Sequence, residues 1–162
     1  MIVVADTSPI CYLILMGRVD LLSSLFGSIY IPQAVYEELN HQKSPQAVKE
    51  WAACLPKWVN VMPSTGISIS SLSHLHKGEY EVITLAEKMK ADIVIIDEKA
   101  GRNSAKERNI KVTGLVGMMK IASSKGLVDV NVMIEELKAT NFRISQNLLE
   151  LLVMQCKQND NY

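Results

Sequence analysis

Cysteine is scarce in this sequence. Three of the 162 residues are cysteines, and Cys11, Cys54 and Cys156 are far apart with no C-x-x-C pair among them. This odd number and wide spacing argue against a disulfide framework and against a thiolate zinc site. They fit a reduced, cytoplasmic setting.

A net charge is also missing. The 17 Lys and Arg residues balance the 17 Asp and Glu residues, and the pI is about 6.8. Without a basic field, the chain cannot hold a long nucleic-acid duplex by charge alone. Any nucleic-acid chemistry must therefore come from a local site.

Long apolar runs are absent as well. No window reaches the roughly 18 uninterrupted apolar residues that a membrane span needs. The N-terminal apolar run is interrupted at residues 6–9, and no positively charged region precedes it. We therefore expect a soluble protein with no membrane segment.

What is present is an alternation of short β-branched runs and longer amphipathic patterns. With 48% hydrophobic residues, the chain can fill the core of one ordinary domain. The runs predict five strands, at residues 2–5, 28–31, 58–62, 92–97 and 110–113. Helices are predicted after Ser8 and at residues 19–26, 32–39, 44–54, 79–90, 100–108, 115–123, 130–139 and 145–157. This order indicates an α/β three-layer sandwich with a mostly parallel five-stranded sheet and C-terminal helices.

Motifs of several other α/β families are lacking. The chain has no G-x-x-x-x-G-K-[ST] and no G-x-G-x-x-G after the first strand. Ser8 stands where a haloacid-dehalogenase-like phosphatase needs its second acid. Met62-Pro63-Ser64 stands where a response receiver needs its phospho-acceptor aspartate. The segment at residues 63–77 is instead a serine-rich loop, which we interpret as a mobile flap with one short helical turn.

Four acids fall where a parallel sheet binds ligands. Asp6 and Asp97 each end a predicted buried strand, while Glu38 and Glu79 lie on helices that follow strands. Because strand-to-helix turns converge on one edge of such a sheet, we expect these carboxylates to meet there. Clustered carboxylates repel each other, and a divalent cation removes that cost. Oxygen-only ligands favour Mg²⁺ or Mn²⁺, and such a site suits phosphodiester hydrolysis.

Each acid also has a plainer interpretation. Asp6 and Asp97 can be caps of the helices that follow them. Glu38, next to Glu37, can belong to a solvated helix face. Glu79 can complement the dipole of its helix. It is less probable that all four plainer interpretations are correct together than that any one of them is correct.

Several segments resemble the PIN-domain nucleases. VVADTS at residues 3–8 looks like their opening strand and first acid. IPQAVYEEL at residues 31–39 is similar to their second-acid helix, in which the glutamate before leucine is functional, so the resemblance selects Glu38. Gly78-Glu79 and then Asp97 match the spacing of the third and fourth acids. DEKAGR at residues 97–102 and VTGLVG at residues 112–117 resemble one prokaryotic branch, whose members often sit beside small antitoxin-like proteins.

The resemblance covers residues 1–126 and implies a PIN-like domain there. Residues 127–162 are then a C-terminal helical extension, packed on the same domain or on a dimer mate. The resemblance implies a Mg²⁺- or Mn²⁺-dependent endoribonuclease acting on single-stranded or structured RNA, with a VapC-like toxin role restrained by a small antitoxin protein, and a homodimer. The tail is longer than that of a minimal PIN toxin, and Glu79 stands where toxins commonly have aspartate.

By position in the family pattern, the expected catalytic and metal-binding residues are Asp6, Glu38, Glu79 and Asp97, with Asp6 and Asp97 as the central metal ligands. Glu38 and Glu79 complete the shell directly or through water. Thr7 or Ser8 is expected to bond the metal water or a phosphate oxygen, unless Ser8 is only a helix cap. Arg102 is expected to contact a phosphate or an antitoxin carboxylate, with a surface or intrachain salt bridge as the alternative.

Other signals carry less weight. His74-Leu75-His76 is a weak metal motif without a third histidine or a cysteine nearby. Glu98 is interpreted as a solvent-facing residue in preference to an outer metal ligand. Trp51 and Trp58 are interpreted as packing residues in preference to base-stacking platforms. A basic set on two helices can line an RNA groove or simply solubilise the helices; it comprises Lys88, Lys90, Lys99, Arg102, Lys106 and Arg108.

A second hypothesis of a different class stays open at this point. The chain can be a catalytically weak or inactive PIN-fold protein that acts as a protein-binding module through its C-terminal helices. The balanced charge and the glutamate at position 79 favour it. Metal titration discriminates between the two, because a catalytic site is stabilised by Mn²⁺ and a bare module is not.

Overall fold

The computed structural model describes residues 1–142, 149–150 and 152–154. Cys156 and most of the predicted helix at residues 145–157 lie outside the described residues.

One parallel sheet forms the centre of the molecule. Its strands are β1 (Val3–Ala5), β2 (Ile29–Pro32), β3 (Val59–Met62), β4 (Ile93–Ile95) and β5 (Val112–Thr113). They are arranged in the order β3-β2-β1-β4-β5, and each neighbouring pair is parallel. The central strand β1 is completely buried, because β-branched and small residues there are covered on both faces. The predicted α/β sandwich with a five-stranded parallel sheet is confirmed.

Helices alternate with the strands, as the hydrophobic pattern predicts. A 3₁₀ helix at Ser70–Leu72 supplies the expected short turn in the loop before α5. Within residues 1–142, the α-helices are α1 (Thr7–Leu15), α2 (Leu21–Phe26), α3 (Gln33–Leu39), α4 (Gln46–Ala53), α5 (Lys77–Met89), α6 (Lys99–Glu107), α7 (Leu115–Ser124) and α8 (Val130–Lys138).

The start of α1 differs from the sequence interpretation. Asp6 occupies the N-cap position and Thr7 opens the helix, so the alternative in which Ser8 is the cap is wrong. The cause is the early end of β1 at Ala5, where the Asp6 amide still donates to the Ile95 carbonyl at 2.9 Å. Ser8 therefore lies in the first helical turn.

The strand order reverses between β1 and β4. β2 and β3 lie on one side of β1, whereas β4 and β5 lie on the other. In open parallel sheets, ligands bind at the carboxyl ends of the strands next to such a reversal. Ala5 is in register with Ile95, so the residues that follow β1 and β4 leave the sheet side by side. This topology brings Asp6 and Asp97 to the same place.

The residues beyond Gly126 extend the same core. Met133 and Leu137 of α8 are fully buried and belong to the same apolar cluster as the sheet. α8 packs against α7. A domain boundary at residue 126 stays a prediction. In the described part of the chain, no helix is long and apolar enough to cross a membrane.

Candidate active site

A polar cleft of about 580 Å³ opens at the carboxyl edge of the sheet. Its lining combines the β1–α1 turn, α3, the start of α5 and the turn after β4. Of the predicted site residues, the cleft brings together Asp6, Thr7, Ser8, Glu38 and Glu79. The other two predicted site residues, Asp97 and Arg102, do not line the cleft.

Asp6 is the buried acid of the cleft. Only 4% of its surface is exposed. Burial, with smaller effects from the charges of Glu38, Glu79 and Asp97, raises the pKa of Asp6 to about 7, although a hydrogen bond from the Thr7 amide lowers it. Asp6 does occupy the N-cap position of α1, as the plainer interpretation expects, but its side chain makes no capping hydrogen bond. Its carboxylate is destabilised and surrounded by acids.

Glu38 extends from α3 into the cleft. Val35 and Leu39 are fully buried, which fixes the face of α3 and directs Glu38 toward α1. The Thr7 hydroxyl donates to Glu38 Oε2. The neighbouring Glu37 lies instead 3.9 Å from the Lys77 ammonium. The structure thus separates the two glutamates as the resemblance did, and Glu38 is the one at the site.

Gly78 makes room for the Glu38 carboxylate. A Cβ atom added to Gly78 would overlap Glu38 Oε1 and lie 3.0 Å from its carboxyl carbon. Any other residue at position 78 would therefore push the Glu38 side chain away. This close approach explains why glycine precedes Glu79 at the start of α5.

Glu79 lies in the first turn of α5 and is almost fully buried. Burial raises the pKa of Glu79, while the nearby His76 lowers it. Its Cγ atom is close to Gly101 of α6, where a Cβ would come within 3.7 Å. The longer glutamate side chain is thus accommodated against a glycine on the next helix.

Asp97 is held beside the cleft rather than in it. Its Oδ1 accepts a hydrogen bond from the Leu115 amide at 2.8 Å, the first amide of α7. Its Oδ2 is buried and has no hydrogen-bond partner among the described residues. Burial raises the pKa of Asp97, and the Arg102 guanidinium opposes that rise. Glu98, and not Asp97, is the N-cap of α6, so the interpretation of Asp97 as that cap is wrong.

Arg102 lies next to Asp97. Its Nη1 donates to the Ile96 carbonyl at 3.1 Å, and a Cβ at Gly114 would lie 2.8 Å from the same nitrogen. Arg102 therefore supplies a positive charge behind the acids and secures the turn after β4.

Two residues at the site were missed or given little weight at the sequence level. Glu81 is 7% exposed, and its carboxylate accepts a hydrogen bond from the Ala34 amide at 3.0 Å. Glu81 thus joins α5 to the beginning of α3. No sequence signal separates such a buried acid from the charged face of an amphipathic helix. His76 was set aside as a loop histidine, yet it lines the cleft as the N-cap of α5.

The residues at this edge have the donor chemistry of a hard divalent cation. The four acids Asp6, Glu38, Glu79 and Asp97 offer oxygen atoms, and Oδ2 of Asp97 is a buried acceptor with no hydrogen-bond partner among the described residues. As the side chains stand, however, no group of three His, Cys, Asp or Glu residues in the described part of the chain converges closely enough to hold an ion.

Comparison with known protein families decides the identity of this fold. A family model described as a PIN domain matches residues 2–158. The chain belongs to the PIN domain family. This confirms the resemblance to PIN-domain nucleases, and the match runs through residues on both sides of Gly126. PIN domains are generally nucleases, so a hydrolase that acts on nucleic acid is the general function indicated. A search of curated proteins found no match.

Proposed function

We propose that this PIN domain is a metal-dependent endoribonuclease that hydrolyses RNA phosphodiester bonds with Mg²⁺ or Mn²⁺. One observation carries the proposal. The reversal of strand order places a buried, destabilised Asp6 carboxylate among Glu38, Glu79 and Asp97. An arrangement of like charges costs stability and is typical of a site for catalysis or ligand binding.

Asp6, Glu38, Glu79 and Asp97 would hold the metal. When bound, the ion neutralises these carboxylates and stabilises the negative charge that develops on the phosphoryl oxygens during hydrolysis. The free Oδ2 of Asp97 supports its assignment as a ligand, since Oδ1 is already engaged by the Leu115 amide.

The chain's other groups position the phosphate. Thr7 and Ser8 both line the cleft at the N-terminus of α1, where Ser8 presents its hydroxyl and its first-turn amide, while the Thr7 hydroxyl donates to Glu38. Such groups donate hydrogen bonds to phosphate oxygens. Arg102 contributes a fixed positive charge beside Asp97, which balances part of the acid cluster.

The test is a cleavage assay on a labelled RNA pool with Mn²⁺ or Mg²⁺, compared with the same assay in a chelator. Asp6→Asn and Asp97→Asn are expected to lower the cleavage rate at least about 100-fold while the chain stays folded. Asp92→Asn is a matched control, because Asp92 directly precedes β4, at the opposite end of that strand from Asp97. Its carboxylate accepts a hydrogen bond from the Ile2 amide at 2.6 Å. RNA cleavage that survives in both site variants would refute this mechanism.

The non-catalytic alternative is favoured by one observation, the balanced charge of the chain, which provides no basic field to attract RNA. Thermal melting with increasing Mn²⁺ separates the two hypotheses. A nuclease site raises the melting temperature, and Asp6→Asn abolishes that rise. A flat response in the wild-type chain would favour the protein-binding module, and a rise that survives Asp6→Asn would locate the metal elsewhere.

We extend the proposal to the cellular role. The motif resemblance supports a VapC-like toxin that is cytoplasmic, homodimeric and restrained by a small antitoxin protein. Induced expression in a bacterial host is then expected to arrest growth, and Asp6→Asn is expected to relieve the arrest. Co-expression of a small DNA-binding protein from a neighbouring reading frame should also relieve it. Unimpaired growth with an active nuclease would exclude the toxin role, and a monomeric mass in light scattering would exclude the dimer.

A further inference from the structure

An aromatic pair borders the candidate active site. Tyr12 of α1 and Phe142, which follows α8, have ring centroids 4.7 Å apart and ring planes at 84°. Both side chains are partly exposed. The edge-to-face contact is a favoured aromatic geometry, and it fixes the Tyr12 ring in one orientation.

The pair is continuous with the cleft. Ser8 lines the cleft, and Tyr12 is four residues further along α1, so the two side chains lie on the same helix face. The pKa of Tyr12 is raised mainly by burial and then by the charge of Asp97, with smaller effects from Cys11 and Glu98. Since Glu98 also lines the cleft, the ring lies beside the acids.

Phe142 is held in place by the chain around it. Its amide donates to the Thr140 hydroxyl at 3.2 Å, and that hydroxyl donates to the Leu137 carbonyl at 2.6 Å. Arg18, just after α1, forms a two-bond fork with Glu136 of α8, with both distances 2.9 Å. The C-terminal turn is therefore docked on α1, and the aromatic pair is a preorganised feature.

We propose that Tyr12, supported by Phe142, is a stacking platform for one base of single-stranded RNA next to the scissile phosphate. The inference rests on the proposed ribonuclease function and adds to it a binding subsite to which the C-terminal extension contributes. Aromatic stacking accepts any base and needs no net positive charge. A chain whose formal charge is zero has no basic field to attract RNA. A base-stacking contact would supply binding free energy that net charge does not. The position of the ring beside the acids favours RNA over a protein partner.

Binding can be measured without cleavage. In an Asp6→Asn background, the affinity for a fluorescein-labelled 20-nucleotide oligouridine is read by fluorescence anisotropy. Adding Tyr12→Leu is expected to weaken binding about tenfold, since one stacked base contributes about 1–3 kcal/mol. Phe142→Leu should weaken it less, and Tyr12→Phe, which keeps the ring, should restore the affinity lost in Tyr12→Leu.

Trp51→Leu is the matched control. Trp51 and Trp58 form another partly buried pair, with centroids 6.1 Å apart, and neither lines the cleft. If Tyr12→Leu binds RNA as tightly as Trp51→Leu does, the inference is overturned even when the wild-type chain cleaves RNA. Equal RNA binding accompanied by loss of self-association would assign the pair to a protein contact instead. Conversely, a selective loss of binding in a chain that does not cleave RNA would support the platform and reject the nuclease proposal.

A second measurement covers the case in which Tyr12→Leu fails to fold. Ultraviolet cross-linking of 5-bromouridine-substituted RNA to the otherwise unaltered Asp6→Asn chain is expected to modify Tyr12 or Phe142. Adducts confined to other residues, identified by peptide mass spectrometry, would contradict the proposal.

Discussion

Two features of Asp6 disfavour its ionised form, because its carboxylate is buried and other acids surround it. Its pKa rises from 3.8 to about 7 in the folded chain. The folded state therefore binds the Asp6 proton more tightly than the unfolded state does. The resulting stability is fully present below pH 3.8 and is lost as the pH rises through about 7.

The consequence is a pH-dependent stability that one substitution removes. In a chelator, the difference in melting temperature between Asp6→Asn and the wild-type chain is expected to grow in favour of the variant from pH 4 to pH 8. Neutral asparagine carries no ionisation cost, and a gain of about 1–2 kcal/mol at neutral pH is typical of removing a functional carboxylate. Asp92→Asn should leave this pH dependence in place. Parallel curves for the wild-type chain and Asp6→Asn would contradict the burial argument.

Gly78 allows a second test at this scale. Gly78→Ala places a methyl group where Glu38 Oε1 now lies, and the flexible glutamate must move. Alanine also favours the helix by about 1 kcal/mol. We expect the melting temperature to hold or rise while RNA cleavage falls at least about tenfold, because small displacements of catalytic groups are costly. Unchanged cleavage would show that the position of Glu38 is not critical.

At the scale of elements, the sequence predicted the strands and the acids that end them. Short β-branched runs followed by a polar residue identify a buried parallel strand and its carboxyl end, so Asp6 and Asp97 could be located. The role of Glu81 could not. A buried acid that pairs with a backbone amide on another helix has the same local pattern as a solvated one, and only tertiary contact distinguishes them.

Glu81 couples two helices that each carry a site residue. Its carboxylate accepts from the Ala34 amide in the first turn of α3, the helix of Glu38, while Glu79 precedes it on α5. Glu81→Leu removes the acceptor and leaves a buried amide unpaired, which costs about 1–3 kcal/mol. We expect that loss in urea unfolding, together with a fall in kcat larger than any change in KM. Glu81→Gln, which keeps an acceptor oxygen, should recover most of the rate. Equal kcat values in the two variants would limit Glu81 to a purely structural role.

At the scale of the whole molecule, the C-terminal part is connected to the carboxyl edge of the sheet through α1. Arg18 and Phe142 are separated from their partners Glu136 and Tyr12 by more than a hundred residues, so no local pattern could pair them. The hydrophobic period predicted α8 but not where it docks. The contacts near α1 turn a helical extension into a support for the helix whose first turn forms the cleft.

The Arg18–Glu136 fork therefore offers a test of how firmly the extension is attached. The two side chains are 32% and 28% exposed, so solvent screens the pair in part, and its two-bond geometry offsets that screening. A double-mutant cycle with Arg18→Gln and Glu136→Gln in urea unfolding is expected to give a coupling of about 1 kcal/mol. The exposed Glu135–Lys138 pair on the same helix is the control, and Lys138→Gln should change the free energy of unfolding by less than about 0.5 kcal/mol.

If the Arg18–Glu136 coupling is no larger than this control, α8 is held by apolar packing alone. RNA binding should then be insensitive to Glu136→Gln, whereas a firm fork predicts that the same substitution loosens Phe142 and weakens binding without changing the cleavage rate at saturating RNA.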